Sequence, residues 1–177
     1  FESESWGTYI DFEADVSEQL TLGSAFRFED FEEFDSTFDW KLSARYAISD
    51  SLAIRATANT GFRAPTPGQV NTLNTTTTAD SSGRLIPSGT FPVNNPVALA
   101  LGSMELNPEE STSFTIGAVF ETEGGTGITL DYYDIEIKDR LAFRNITVGA
   151  DEMASLTAAG IPNVATLDGS NLNYFVN

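Results

Sequence analysis

LAIRATANTGFRAPTPGQV, residues 52–70, passes from a regular alternation into an abrupt break. Its apolar side chains fall in one phase, at Leu52, Ile54, Ala56, Ala58 and Phe62. The other phase carries Arg55, Thr57 and Asn59. Apolar residues at a period of two predict a β-strand with one apolar and one polar face. Pro65 and Pro67 follow, and because proline lacks a backbone donor they predict that the strand ends here.

The same alternation recurs along the chain. It is found in residues 6–16, 20–28, 38–46, 113–121 and 127–138. In the last of these segments the apolar phase changes at Tyr132–Tyr133, which predicts a β-bulge. The sequence therefore predicts about six strands, and NYFVN at residues 173–177 predicts the start of a seventh.

The connections between these strands alternate in length. Short turns are predicted at 17–19, 49–51 and 123–127, whereas residues 29–37, 63–110 and 139–172 form longer links. Long links that all fall on one edge are typical of an antiparallel up-and-down meander. The longest, 63–110, is predicted to be an irregular loop, because 71–96 is rich in Thr, Ser, Asn, Gly and Pro. In the link 139–172, helical spacing at 150–160 before Gly160 predicts a short helix within a loop.

Composition excludes several classes of protein. The 177 residues include 26 acidic and 9 basic side chains, for a formal charge of −17, and they contain no His and no Cys. This charge argues against nucleic-acid binding, which requires a basic surface. A Ser-His-Asp triad is excluded, and so are thiolate nucleophiles and zinc sites of the usual kind. We therefore expect no enzyme, no cofactor and no metal site.

Strand length and face chemistry favour a membrane barrel over a soluble sheet. The strands have about the 9–11 residues that cross a bilayer at a tilt. Aromatic residues cluster near the strand ends, at Trp6, Phe28, Phe38, Tyr46 and Phe62. In this interpretation the apolar face meets lipid, and the other face lines a water-filled lumen with Asp11, Glu13, Asp15, Arg27, Asp39, Lys41, Arg45, Arg55 and Asn59.

Five stretches, in sequence order, resemble the barrel of TonB-dependent outer-membrane receptors. TGFRAPTPGQV (60–70) is similar to the GFRAP signature of that family, and LNPEESTSFTIGAVF (106–120) resembles its L-x-PE-x-S segment. ITLDYYDIEIKDRL (128–141) resembles a family strand, while 152–163 and 173–177 resemble the family's next loop segment and the strand after it. The resemblance covers about residues 52–177, and the earlier strands fit the same meander.

The resemblance implies a transporter of the bacterial outer membrane. Such receptors are barrels of 22 strands with a plugged lumen. They take up scarce nutrients such as ferric siderophores, cobalamin or sugars, with energy from an inner-membrane complex. Residues 1–177 are expected to be an excised part of the barrel. The plug, the energy-coupling box and the remaining strands are not in it.

Two arginines are the candidate ligand-binding residues. Arg63 would face the receptor mouth and bind an anionic chelate, or alternatively close the strand through a salt bridge to a lumenal carboxylate. Arg84 lies in the long loop, where it would contact ligand or stay a solvated charge. The acidic run at 29–35 suggests a Ca²⁺ site, although it lacks EF-hand spacing and a solvated loop is the default. Adjacent Glu109 and Glu110 would point to opposite sides of a strand, which argues against a carboxylate pair.

Two rival functions remain open at this point. One is a soluble carbohydrate-binding or adhesin module, in which Trp6, Tyr9 and Trp40 would stack on sugar rings. The other is a passive porin-like pore.

Overall fold

A computed structural model describes residues 4–32, 36–79 and 83–177. Its strands are β1 (Ser5–Asp15), β2 (Leu20–Phe31), β3 (Thr37–Ser49), β4 (Leu52–Arg63), β5 (Asn74–Ala79), β6 (Leu85–Thr90), β7 (Glu109–Glu121), β8 (Gly127–Lys138), β9 (Ala142–Thr147) and β10 (Asn171–Val176). Its helices are α1 (Pro67–Asn71), α2 (Pro96–Ala100), α3 (Ala150–Ala158) and a 3₁₀ turn at Val164–Leu167. Among the described residues, no helix has both the length and the apolar character needed to span a membrane.

The chain forms two units, each with its own sheet. The wall unit holds the described residues up to Arg63 together with Glu109–Lys138. Its six-stranded sheet has the order β1-β2-β3-β4-β7-β8, and every neighbouring pair is antiparallel. The loop unit holds Ala64–Pro108 and Asp139–Asn177, with a four-stranded sheet of order β5-β6-β10-β9. The predicted meander of antiparallel strands is confirmed in the wall unit.

The bulge predicted at Tyr132–Tyr133 is wrong. β7 and β8 pair without interruption from Glu110–Lys138 to Glu121–Gly127. The change of apolar phase has another cause: towards its end β8 puts Tyr133, Ile135 and Ile137 on the polar face, in unbroken register. The register shift in the wall unit lies instead between β3 and β4, at Ala47 and Ser49.

Residues 171–176 do not extend the meander as the predicted seventh strand. β10 pairs antiparallel with β9 and parallel with β6, inside the loop unit. Its alternation is real, but its apolar phase packs inside the loop unit, where Leu172 and Tyr174 are only 2% and 1% exposed. The Tyr174 hydroxyl donates a hydrogen bond of 2.7 Å to the carbonyl of Leu101.

Both long links are folded, contrary to the prediction that the link 63–110 is an irregular loop. α1 begins with a capping box, in which the Thr66 hydroxyl accepts from the amide of Gln69 at 3.2 Å and the Gln69 side chain accepts from the amide of Thr66 at 2.9 Å. The ladder of β4 ends at Arg63, and Pro67 at N1, which has no amide to lose, starts the helix. Strands β5 and β6 then form a hairpin from residues that composition assigned to a loop.

The loop unit has a small apolar core. Val148, Leu156 and Leu172 are buried together, with Phe91, Val97, Ala100, Leu101, Met153, Ile161, Val164 and Leu167 packed against them. Leu156 belongs to α3, which confirms the helix predicted at 150–160. The helix ends at Gly160, whose φ is +74°, and the amide of Ile161 donates back to the carbonyl of Leu156 at 3.0 Å. This is a Schellman end, which a glycine at that position favours.

Candidate functional site

The polar face of the wall unit carries its charges in rows that cross the strands. One complete row is formed by Asp15, Thr21, Arg45, Arg55, Gly117 and Asp131, each in register with the next. At one end of this row the Thr21 hydroxyl donates to the Asp15 carboxylate at 2.7 Å. The register thus brings together residues that are up to 116 positions apart in sequence.

At the other end of the row, a carboxylate reaches across a whole strand. The Arg55 guanidinium donates from Nε to Oδ1 of Asp131 at 3.1 Å and from Nη2 to Oδ2 at 2.8 Å. Gly117 lies between them on β7, and a Cβ at that position would collide with Oδ1 of Asp131. The absent side chain is therefore what lets Asp131 reach Arg55 in a bidentate pair. Sequence inspection did not identify Gly117, because only the strand register shows its position.

Further ion pairs lie on the same face. Arg27 binds Glu29, two residues along β2. Where β4 ends, Nε of Arg63 lies 3.6 Å from Oε2 of Glu109, and the Glu109 side chain is only 11% exposed. Arg63 and Glu109 are directly opposite each other in the β4–β7 register.

The polar face borders an open concave space of about 1070 Å³. Its lining includes Arg27, Asp39, Lys41, Arg55, Asn59 and Asp131, with Tyr9, Tyr133 and Ile135 among them. Both signs of charge face this space, together with aromatic rings. Such a surface holds water and polar solutes and offers hydrogen-bond partners along the strands.

The opposite face of the same sheet is apolar and uncovered. Leu42, Ile54 and Phe114 are 49%, 42% and 44% exposed, so within the described residues no second layer seals them in a core. Towards the end where the long links leave, this face turns polar, with Glu110, Thr112, Asp134 and Glu136 in its phase. In membrane barrels the outer face has this arrangement: an apolar band contacts lipid, and charged residues beyond the band contact water.

Aromatic rings mark the same end of the sheet. Trp6 and Phe28 have centroids 5.5 Å apart, and Phe31 and Phe62 are also 5.5 Å apart. The indole of Trp6 donates to Asp30 at 3.1 Å. Rings with a polar anchor at the edge of an apolar band form the aromatic girdles of membrane barrels.

The stacking platform of the carbohydrate-module hypothesis is not formed. Trp6 and Trp40 lie on the apolar face, whereas Tyr9 lies on the polar face. The register places the three rings on two sides of one sheet, so they do not share one sugar-binding surface.

The two candidate arginines lie in different units. Arg63 belongs to the wall unit, where it contacts Glu109 as the salt-bridge alternative requires. Arg84 belongs to the loop unit. There Nη2 donates to the backbone carbonyl of Asp168 and lies 3.8 Å from Oδ2 of the same residue. Both arginine side chains remain more than half exposed, at 60% and 55%.

The acidic candidates have structural contacts where the structure describes them. Of the run at 29–35, residues 33–35 lie outside the described residues. Glu29 binds Arg27 and Asp30 accepts from Trp6. Glu109 and Glu110 are consecutive in β7, and Glu109 faces Arg63 while Glu110 has the opposite phase. In the described part of the chain, no group of three or more acidic, His or Cys residues is arranged to hold a metal ion.

Comparison with known proteins identifies the family. The protein-family model described as TonB dependent receptor-like, beta-barrel matches residues 1–175. The chain belongs to the TonB-dependent receptors. This family consists of non-enzymatic transporters of the bacterial outer membrane. No curated protein sequence matches the chain.

Solved receptors share the fold at low sequence identity. The siderophore receptor PirA from Pseudomonas aeruginosa superposes with a TM-score of 0.70 at 18% identity, over 99% of this chain and 28% of that one. A variant of the ferric enterobactin receptor PfeA from Pseudomonas aeruginosa, in complex with enterobactin, gives 0.67 at 11% identity, over 98% and 22%. PirA from Acinetobacter baumannii gives 0.62 at 16%, over 99% and 22%. The TonB-dependent chain described here thus spans about a quarter of the length of these receptors.

Proposed function

We propose that the chain forms part of the wall and outer loops of a receptor for the energy-dependent uptake of a scarce nutrient such as a ferric siderophore. The observation that carries the proposal is the two-sided wall: exposed apolar side chains on one face, and a charged concave surface of about 1070 Å³ on the other. Structural neighbours that are siderophore receptors support this ligand class.

The mechanism is binding and release, with no bond made or broken. Folded outer loops capture the ligand, and the charged wall keeps the path hydrated. Energy comes from an inner-membrane complex acting through a part of the receptor outside this chain. Arg63 and Arg84 are the candidates for ligand contact, because an exposed guanidinium pairs well with an anionic chelate.

The test is growth of a strain that lacks the intact gene. Under iron limitation, complementation with the gene should restore growth on at least one ferric siderophore, and a protonophore should abolish the uptake. Cobalamin and neutral oligosaccharides serve as the comparison nutrients. If only cobalamin or an oligosaccharide restored growth, that nutrient would replace the ferric siderophore as the proposed ligand. Uptake that survives the protonophore would favour a passive pore.

Matched variants separate ligand contact from strand closure at Arg63. Arg63→Gln and Glu109→Gln both break the pair at 3.6 Å, but only the first removes a positive charge. If Arg63 contacts an anionic ligand, Arg63→Gln should weaken binding about tenfold more than Glu109→Gln, the effect of losing one charged hydrogen bond. Equal effects would assign Arg63 to strand closure alone. The effect of Arg84→Gln on ligand binding is compared with that of Arg140→Gln, because Arg140 is another arginine of the loop unit.

A further inference from the structure

The side chain of Asn177 joins the two chain segments that make up the loop unit. These segments are residues 64–108 and 139–177. Oδ1 of Asn177 accepts a hydrogen bond from the backbone amide of Asn107 at 2.7 Å. Nδ2 donates to the backbone carbonyl of Asn107 at 2.9 Å and to that of Asp139 at 2.6 Å. These three hydrogen bonds are called the Asn177 clamp below.

The clamped residues lie next to the points where the chain passes between its two units. The first segment ends one residue after Asn107, and the second begins at Asp139 itself. The clamp therefore ties the end of one segment to the start of the other. A further bond between the segments, from the amide of Phe91 to the carbonyl of Asn173 at 2.8 Å, lies 16 residues before Asn107.

A carboxamide has the groups that this geometry requires. It carries an acceptor oxygen and two N–H donors in one plane. Asn177 exchanges two hydrogen bonds with the backbone of Asn107, as paired residues of antiparallel strands do, and has a further N–H for the carbonyl of Asp139. The opposite orientation of the carboxamide would place its oxygen against two carbonyls, so its partners fix the assignment of oxygen and nitrogen.

The clamp also supports an unusual backbone conformation. The φ of Asp139 is +51°, in the left-handed region that residues with a Cβ adopt rarely. Asp is among the residues that tolerate this region, and the bond from Asn177 holds the carbonyl of the turn. Asn107, Asp139 and Asn177 are all exposed, so water competes for each bond. The clamp is therefore a reversible tie at the surface of the loop unit.

We propose that Asn177 is a positioning residue that couples the two segments, so that they move as one body when the receptor captures or releases a ligand. With the clamp closed, a displacement at Asn107 is carried to Asp139 through one planar group. With the clamp open, the two positions move independently while the apolar core around Leu156, which consists of other residues, stays packed. The role in ligand capture rests on the proposed function, whereas the coupling itself is measured without ligand.

The test measures the distance between the two segments in the intact receptor. The chain contains no Cys, so Met104→Cys and Ala142→Cys supply the sites for two spin labels, and any Cys elsewhere in the receptor is replaced by Ser. Both positions are exposed, and each lies three residues from a clamped residue. Dipolar electron paramagnetic resonance in lipid vesicles should give a single narrow distribution of distances between the labels.

Two variants separate the clamp from its surroundings. Asn177→Leu removes all three bonds at nearly constant shape, and the narrow distribution should be replaced by a broad one. Asn107→Ala keeps both backbone partners of the clamp and should leave the distribution unchanged. Hydrogen exchange of α3 should be the same in both variants, which shows that the loop unit is still folded.

Asn177→Asp provides a rescue that a merely structural role would not show. At neutral pH its carboxylate only accepts hydrogen bonds and faces two carbonyls, so the clamp should be open. Below about pH 4, the ordinary range of an Asp side chain, the protonated carboxyl has one donor and one acceptor and can pair again with the backbone of Asn107. The narrow distribution should then return, whereas Asn177→Leu should stay broad. The receptor with Asn177 intact, measured at both pH values, controls for titration of Asp139 and other carboxylates.

Three outcomes would overturn the proposal. They are a narrow distribution in Asn177→Leu, equal broadening in Asn107→Ala, and no recovery of Asn177→Asp in acid. Because these measurements use no ligand, failure of the clamp would leave the uptake function standing. Failure of siderophore uptake would likewise leave the measured coupling unchanged.

Discussion

The wall unit and the loop unit both contain alternating strands, yet they treat the apolar phase in opposite ways. In the wall unit the apolar side chains of Leu42 and Phe114 are 49% and 44% exposed, although a chain of 177 residues is long enough to bury them. In the loop unit Leu172 and Tyr174, at the same period of two, are 2% and 1% exposed. Alternation therefore shows that a segment is a strand, and the neighbours of the strand decide whether its apolar side meets lipid or protein.

The largest expected effect tests the protein core of the loop unit. Leu156 is 0% exposed, so Leu156→Ala should lower the local unfolding free energy by about 3–4 kcal/mol, the usual cost of a cavity. Leu99→Ala, in a residue that is 52% exposed, is the matched control and should cost far less. Hydrogen exchange of residues 139–177 in the intact receptor measures both. Equal losses would mean that the loop unit has no core of its own.

The next effect tests the lipid side of the wall unit. Leu42→Arg puts a charge in the apolar band and should destabilise the receptor in lipid vesicles by about 2–3 kcal/mol. Ser43→Arg, one residue on, faces the polar side above Gly23 and should be tolerated. Urea unfolding in vesicles measures the difference. If Ser43→Arg were the more damaging variant, the two faces would have been assigned the wrong way round.

Tyr174 gives a smaller effect that depends on pH. Burial raises the pKa of the Tyr174 phenol above its ordinary value of 10.0, and the charge of Arg144 opposes this increase. The folded state thus favours the neutral phenol. The contribution of Tyr174 to the stability of the loop unit is therefore complete below pH 10 and is lost as pH rises through the raised pKa.

Tyr174→Phe removes the hydrogen bond to Leu101 and should cost about 1 kcal/mol at neutral pH. It should also flatten the loss of stability of the loop unit above pH 10. Hydrogen exchange and near-ultraviolet circular dichroism follow the titration. An unchanged alkaline profile in the variant would show that Tyr174 is not the group that titrates.

The smallest expected effect tests the crossing carboxylate. Gly117→Ala places a Cβ where Asp131 reaches over β7, so the carboxylate must move away from Arg55. Because both partners are accessible to solvent, the change in stability should be small. The sharper measurement is a double-mutant cycle: Asp131→Asn should have little further effect once Gly117→Ala is present. Simple additivity of the two variants would show that Gly117 does not enable the pair.

Sequence patterns predicted the wall unit well, because its strands are long and strictly alternating. The predicted segment 38–46 lies within Thr37–Ser49, and 52–62 nearly coincides with Leu52–Arg63. The bulge at Tyr132–Tyr133 was wrong because a phase change within one strand does not reveal how that strand pairs. The pairing is unbroken, and the two faces simply change their chemistry along β8.

The loop unit was predicted less completely, for a physical reason. Helix α3 was predicted, since its spacing and Gly160 are local signals. β5 and β6 were missed because NTTTTA and LIPSGT contain residues that are common in turns, and they become strands only through pairing. The crossing from Asp131 to Arg55 likewise depends on register between distant segments. Whether Arg63 and Arg84 contact ligand stays a prediction.

The parallel pairing of β6 with β10 has a consequence for engineering. β6 comes from the first long link and β10 from the second, so each supplies backbone partners to the other. A chimeric receptor that receives only one of these segments would inherit a strand with half of its ladder missing. Residues 64–108 and 139–177 form one compact unit, so a change of ligand preference made by loop grafting should move both segments together.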